Sequence, residues 1–182
     1  MSATPARQPR GGKVVHLDPP MPESDLEKAL SFLRRRITGS YTTDDFGFDH
    51  DLTEHVVMPA LRPLFERYWR VEQRGVEHLP AEGPAILVSN HSGTLPFDAL
   101  MMSYGVHRET GRHVRLLAAD LALRLPVIGQ MARKAGNTLA CPEDALRLLR
   151  AGELIGVCPE GYKGLGKPFR ERYRLQLSLI HI

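Results

Sequence analysis

The first periodic pattern of apolar residues in the chain is helical and begins at Ser24. Ser24 and Glu27 form a capping-box pair, which is typical of a helix N-terminus, and Gly39 is typical of a helix end. Between them the apolar residues recur every three or four positions, at Leu26, Leu30, Leu33 and Ile37. The preceding residues 1–23 are rich in Pro, Gly and Arg, so we expect a disordered arm before this helix.

A second amphipathic pattern covers about residues 52–69. Its apolar face contains Val57, Leu61, Leu64 and Tyr68. Pro59 and Pro63 should kink or divide this helix, because proline lacks a backbone N–H. Residues 24–70 are therefore predicted to form an N-terminal helical region, whose second helix either packs on the core or lies in a membrane interface.

Beyond Trp69 the pattern changes to strands that alternate with helices. Apolar or alternating runs predict strands over residues 71–79, 84–90, 113–120 and 154–161. Helical patterns cover residues 97–106, 121–136 and 142–152. This order predicts an α/β fold with a mixed, largely parallel sheet flanked by helices. In such sheets ligands bind beyond the carboxyl ends of the strands, where His91 and Glu160 both stand.

Composition narrows the function by exclusion. The net charge is only +3, which is too weak for a general nucleic-acid-binding protein, so we expect no nucleic-acid partner. The two cysteines form neither a disulfide framework nor a metal-binding pattern, so no metal is expected. No apolar run reaches the roughly 18 residues of a membrane-spanning helix.

His91 and Asp98 carry the first candidate chemistry, in the stretch SNHSGTLPFDAL. A histidine has a pKa suited to a general base, and an aspartate can fix its tautomer. A tight turn over residues 92–97 would bring the two side chains together. The alternative is a surface or structural histidine, with Asp98 merely complementing a helix dipole.

A basic, glycine-rich stretch carries the second candidate chemistry. Residues 162–174 contain five basic side chains and one acidic side chain, a net charge of +4 that exceeds that of the whole chain. Glycines allow close backbone approach, and basic side chains favour phosphate. The alternative is a solvated basic loop, and the sequence lacks the pattern of a P-loop.

Taken together, the two stretches resemble the glycerolipid (PlsC-type) acyltransferase superfamily, which includes lysophosphatidic acid and glycerol-3-phosphate acyltransferases. NHSGTLPFD is similar to its Asn-His motif with a spaced Asp, and PEG, 69 residues later, is similar to its Phe-Pro-Glu-Gly motif. The resemblance covers about residues 70–175. It implies an acyl-CoA-dependent O-acyltransferase in which His91 is the general base on an acceptor hydroxyl and Asp98 orients it.

The same resemblance implies the binding partners and the place of action. The implied substrate-binding residues are Asn90, Ser92, Gly93, Glu160, Gly161, Lys163 and Arg170. Acyl-CoA or another acyl thioester is the implied co-substrate, no cofactor is required, and the acceptor is a lipid. We therefore expect a protein that is peripheral on the cytoplasmic face of the plasma membrane and contacts the membrane surface.

Two departures from the family pattern leave alternatives open. Six residues separate His91 from Asp98, where four are common, and no arginine follows Gly136 in the region of the second motif. The acceptor is therefore a glycerol phosphate, a neutral lipid or another alcohol. A catalytically silent lipid- or anion-binding module and a hydrolase with the same His–Asp pair are the alternative functions. We also expect a truncated acyltransferase domain over residues 71–176, with an incomplete sheet and a non-native tail at 177–182.

Overall fold

The α/β prediction is confirmed by a four-stranded sheet. The computed structural model describes residues 24–91, 95–161, 166, 168–171 and 174, so the predicted arm and tail lie outside the described residues. The strands are β1 (Ala85–Val88), β2 (Val114–Ala118), β3 (Thr138–Leu139) and β4 (Leu154–Val157). Their order is β1-β4-β2-β3, and every pairing is parallel.

Helices cover both faces of this sheet. The helices of the α/β part are α4 (Phe97–Thr110), α5 (Asp120–Arg124), α6 (Ile128–Lys134) and α7 (Pro142–Arg150). On β2, Leu116 belongs to the apolar cluster that includes residues of α4, whereas the next residue, Leu117, packs with Leu148 of α7. Successive strand residues point to opposite faces, so the sheet is the middle layer of three.

The N-terminal helical region consists of α1 (Asp25–Thr38) and a second helical segment, residues 50–68. The predicted capping box of Ser24 and Glu27 is present, and Gly39 ends α1 in the left-handed conformation. The second helical segment contains α2 (His50–Leu52) and α3 (Met58–Pro63), each followed by a π-helical turn, Thr53–Val57 and Leu64–Tyr68. Pro59 and Pro63 thus interrupt the regular α-helix without ending the segment. Each proline lacks the N–H of a regular helical hydrogen bond, and the neighbouring π turns continue the helical path with a wider hydrogen-bonding pattern.

The apolar residues of the two N-terminal helices differ in burial. The second helical segment buries Leu61 and Phe65 against Met101 and Tyr104 of α4, and the rings of Phe65 and Tyr104 lie 5.0 Å apart. Of the predicted apolar face, Leu61 is buried and Val57 and Leu64 pack against the same cluster, whereas Tyr68 is 70% exposed. On α1, by contrast, the whole apolar series is exposed: Leu26, Leu30, Leu33 and Ile37.

Ion pairs fasten α1 to the start of the second helical segment. Arg36 donates two hydrogen bonds to the fully buried carboxylate of Asp49, at 2.6 and 2.7 Å. Arg35 donates two hydrogen bonds to Oδ1 of Asp51, which lies two residues after Asp49. Helix α1 therefore presents its basic side to the protein and its apolar side to solvent.

Two predicted elements differ in the structure. Residues 71–79 do not form a strand; they hold the 3-10 helix Val76–His78, and Gly75 at φ 77° breaks the extended pattern. Residues 121–136 form two helices instead of one, because Leu125 precedes Pro126 and adopts an extended ψ of 130°.

Strand β1, which forms within the apolar run of residues 84–90, is buried on one side only. It lies at the edge of the sheet, and the side chains of Ile86 and Val88 are 54% and 66% exposed. A short apolar run predicts burial, but it does not show whether other parts of the chain cover both faces of the strand.

Candidate active site

The sheet topology brings the two sequence motifs to one edge. Strands β1 and β4 are parallel neighbours in register, with Val88 opposite Val157, and the backbone N–H of Ser89 continues the ladder by donating to the carbonyl of Val157 at 3.1 Å. His91 and Glu160 each follow one of these strands by three residues. The prediction that both stand beyond the carboxyl ends of strands is confirmed.

His91 and Asp98 form the predicted pair. The Nδ1 atom of His91 lies 3.0 Å from Oδ2 and 3.3 Å from Oδ1 of Asp98. Both side chains are largely buried, at 16% and 19% exposure, which keeps the contact partly shielded from water. The six-residue gap is thus compatible with direct contact.

Helix α4 positions the carboxylate. Asp98 stands in the first turn of α4, and its Oδ1 accepts a hydrogen bond from the backbone N–H of Ala99 at 2.8 Å. The positive end of the helix dipole favours negative charge at this position. Since a carboxylate can only accept, a neutral His91 carries its proton on Nδ1, and its Nε2 keeps a free lone pair.

The pKa of the Cys158 thiol is affected by carboxylates of both motifs. Burial raises the pKa of the Cys158 thiol to about 11, and the carboxylates of Asp98 and Glu160 add to the shift. The carboxylates of both motifs therefore act on the same thiol, which places the two motifs in one electrostatic environment. At neutral pH Cys158 is a thiol and not a nucleophilic thiolate.

The remaining predicted substrate-binding residues lie in different settings. Asn90 is exposed, whereas Glu160 is almost fully buried, with 1% of its surface accessible. Gly161 has φ 52°, which favours glycine, and donates its N–H to the carbonyl of Cys158 at 3.0 Å. Arg170 is exposed on the 3-10 helix Phe169–Glu171, with its Nε 3.7 Å from a carboxylate oxygen of Glu171. The predictions for Ser92, Gly93 and Lys163 lie outside the described residues.

Exposed apolar side chains near the pair in the chain were not predicted as functional. Leu95 and Phe97 lie three residues and one residue before Asp98, and both are exposed. The ring of Phe97 lies 4.9 Å from that of Trp69, which stands just after the second helical segment. The sequence did contain a signal for this exposed apolar surface, because Leu95 and Phe97 lie between His91 and Asp98.

Comparison with known proteins finds mycobacterial relatives without an assigned activity and a more distant human relative whose name states an activity. The chain is 57% identical to an uncharacterized protein of Mycobacterium tuberculosis over 147 residues, which are 80% of this chain and 41% of the relative. An uncharacterized protein of Mycobacterium leprae is 56% identical over 80% of this chain and 40% of its own length. The chain thus spans about two fifths of the length of these relatives.

The human protein named DGAT1/2-independent enzyme synthesizing storage lipids is more distant. It is 25% identical over 92 residues, which are 50% of this chain and 28% of the human protein. No solved structure matches the chain significantly. The model of the family described as Acyltransferase matches residues 70–178, more than half of the chain, and includes both motifs of the site. The chain therefore belongs to the Acyltransferase family.

Proposed function

We propose that this protein transfers a fatty acyl group from acyl-CoA to the hydroxyl of a glycerolipid or a related alcohol. The contact of His91 Nδ1 with Asp98 at 3.0 Å is the observation that carries the proposal, because it leaves Nε2 as a base. Family membership supports acyl transfer as the reaction class. The name of the distant human relative, an enzyme synthesizing storage lipids, supports a lipid acceptor.

The proposed reaction is direct transfer without an acyl-enzyme. His91 Nε2 removes the proton of the acceptor hydroxyl while the oxygen attacks the thioester carbonyl. The tetrahedral intermediate collapses, the C–S bond breaks, and the CoA thiolate takes the proton from the imidazolium. Asp98 stabilises the imidazolium and holds the ring in the required tautomer. The raised pKa of Cys158 argues against that thiol as the attacking group.

The substrate-binding roles follow from the second motif. Gly161, with its positive φ, permits a tight turn after β4, and the almost fully buried Glu160 serves as a positioning carboxylate. Lys163 and Arg170 supply positive charge for an acceptor phosphate or for the phosphates of CoA. Basic groups would bind the phosphate of an acceptor or the phosphates of CoA equally well, so the assay below is designed to identify the class of acceptor.

Membrane contact is the proposed setting of the reaction, on the cytoplasmic face. The exposed apolar series of α1, Leu26, Leu30, Leu33 and Ile37, supports it, because such a stripe is typical of helices that lie in a lipid interface. The neighbouring Arg34 is also exposed and would favour anionic lipid. Among the described residues, no helix is long and apolar enough to cross a bilayer.

One assay distinguishes the candidate functions. The chain, and a version extended to the length of its mycobacterial relatives, would be incubated with long-chain acyl-CoA and three acceptors: glycerol 3-phosphate, a lysophospholipid and a diacylglycerol. Free CoA and acylated product are measured together. Acceptor-dependent product supports the proposal, CoA release without acceptor supports a hydrolase, and lipid binding without turnover supports a silent module.

Matched variants tie the activity to the site. His91→Ala should abolish product formation while leaving the far-UV circular dichroism of the folded chain unchanged, because the ring supplies the proposed base. His78→Ala, an exposed histidine on the 3-10 helix Val76–His78, is the control and should retain full activity. Normal turnover by His91→Ala would refute the mechanism. Lys163→Ala should raise KM for phosphate-bearing acceptors and leave neutral acceptors unaffected.

A further inference from the structure

Three histidines surround one carboxylate away from the His91–Asp98 pair. The Oε1 atom of Glu54 lies 2.9 Å from Nε2 of His113, 3.3 Å from Nε2 of His107 and 3.8 Å from Nε2 of His50. The proposed acyl transfer uses none of these side chains. A carboxylate shared by three imidazoles is an unusual density of metal-binding groups for a protein without a metal-binding sequence pattern.

The cluster joins two parts of the chain that are distant in sequence. His50 and Glu54 stand one helical turn apart on the second helical segment, so they share a face. His107 belongs to the last turn of α4, and His113 directly precedes β2 after the turn at Gly111. The N-terminal helical region and the α/β part therefore each supply two members.

The positions of three atoms fit a metal ion. The ligand atoms of His50, Glu54 and His113 all lie within 4.8 Å of one another. Nitrogen and oxygen ligands of tetrahedral zinc stand roughly 3.3 Å apart, given bond lengths of about 2.0–2.1 Å. The side chain of His50 is 67% exposed, so its rotation can close the remaining distance without repacking the core.

The packing of His113 is also that of a metal ligand. Its Nε2 is buried and makes no aligned hydrogen bond, although the Glu54 oxygen is close. The rings of His107 and His113 stack 4.5 Å apart at 14°, so the ring of His113 is held with Nε2 close to Glu54.

We propose that His50, Glu54 and His113 bind one divalent transition-metal ion such as zinc. Two imidazoles and a carboxylate favour zinc, cobalt or nickel over magnesium or calcium, which prefer oxygen ligands. Solvent completes the coordination on the exposed side of His50, and His107 packs against the ring of His113 and holds its orientation.

The ion would act as a structural clasp. It would fix the second helical segment to the C-terminal end of α4 and to the start of β2. Asp98 lies nine residues before His107 on α4, which is roughly 13 Å along the helix axis. The metal site is therefore separate from the proposed catalytic pair, and its binding can be tested whether or not the chain transfers acyl groups.

The test measures metal binding directly. A tag-free 182-residue chain, treated with EDTA and kept under a non-thiol reductant, is titrated with Zn²⁺ by calorimetry and with Co²⁺ by visible absorption. We expect one equivalent of Zn²⁺ to bind, a raised Tm in its presence, and no comparable binding of Mg²⁺. No saturable Zn²⁺ binding by the unaltered chain would overturn the proposal.

Variants locate the ion. His50→Ala and Glu54→Gln should each weaken Zn²⁺ binding by at least about tenfold, because loss even of groups that support a metal ligand costs about 10–100-fold. Both should keep their far-UV circular dichroism, since His50 is exposed and Gln matches Glu in shape. His78→Ala, an exposed histidine beside Glu77, should bind as the parent does. Equal affinity in His50→Ala and the parent, or equal weakening in His78→Ala, would show that the ion is bound elsewhere.

Discussion

The buried carboxylate of Asp49 tests how α1 is held to the second helical segment. It accepts two hydrogen bonds from Arg36, at 2.6 and 2.7 Å, and one from the backbone N–H of Leu52 at 3.0 Å. The guanidinium of Arg36 also stacks on Tyr41, 4.2 Å from the ring centroid. Asp49→Ala removes the acceptor of all three hydrogen bonds while leaving the arginine in place.

The expected loss of stability follows from these contacts. Removing one partner of a buried ion pair costs about 3–5 kcal/mol, because the other charge stays buried without its partner. Arg36 retains a second carboxylate, Asp51, at 3.4 Å, which lowers that cost. Asp49 is also the N-cap residue that accepts from the N–H of Leu52, and losing this cap adds about 1 kcal/mol. We therefore expect Asp49→Ala to lower the free energy of unfolding by about 3 kcal/mol, or roughly 6–12 °C in Tm for a chain of this size.

Urea denaturation and thermal unfolding, both followed by far-UV circular dichroism, measure this loss. Asp45→Ala is the matched control, because Asp45 pairs with Arg147 at 3.0 Å but is 83% exposed. Exposed pairs contribute about 0–1 kcal/mol, so the control should unfold nearly as the parent does. If the two variants agree within about 0.5 kcal/mol, burial does not distinguish these ion pairs and the reasoning is refuted.

Four further predictions follow from other features of the structure. Asp98→Asn should lower acyl transfer by about 10²–10⁴-fold with an unchanged Tm, and turnover within threefold of the parent would contradict its orienting role. Gly129→Ala should cost about 1–3 kcal/mol in urea denaturation, because its Cβ would lie under 3.0 Å from backbone atoms of α5, whereas Gly166→Ala, with no atom of the described residues within 4 Å, should be neutral. Cys158 should react with iodoacetamide at pH 8 roughly a hundredfold more slowly than an unhindered cysteine, as peptide mass spectrometry would show, because burial raises its pKa to about 11. Burial alone would raise the pKa of Asp49, but its hydrogen bonds outweigh that effect and lower it, so its contribution to stability is present above about pH 4 and is lost below it. The difference in unfolding free energy between parent and Asp49→Ala should therefore shrink in acid, and a difference that stays constant down to pH 2 would contradict this assignment.

Elements with local start and stop signals were predictable. The capping box at Ser24, the glycine at Gly39 and the proline at Pro142 each mark a helix terminus in the structure as they do in the sequence. These signals work because a cap satisfies backbone groups within the same few residues. The division of α5 from α6 was also present in the sequence, since a residue before proline, here Leu125, disfavours the helical conformation.

Elements that depend on a distant partner were harder to predict. Residues 71–74 alternate in burial as a strand would, yet no strand of the described sheet pairs with them. Alternation specifies which side chains face the core, but it does not provide the hydrogen-bonding neighbour that makes a strand. The apolar series of α1 is similar: its spacing predicts a helix, whereas its exposure depends on where Arg36 and Asp49 anchor that helix.

The sequence by itself determined the α/β class, the helix termini at Ser24, Gly39 and Pro142 and the identity of His91 and Asp98, because these depend on local spacing and on the chemistry of single side chains. Only the tertiary structure decided that β1 lies beside β4, which brings both motifs to one edge, and that His91 and Asp98 are 3.0 Å apart across a six-residue gap. The tertiary structure also assembled His50, Glu54 and His113 from segments about 60 residues apart. Contacts of this kind depend on long-range packing, and a local pattern cannot specify them because it does not determine which distant surface it will meet.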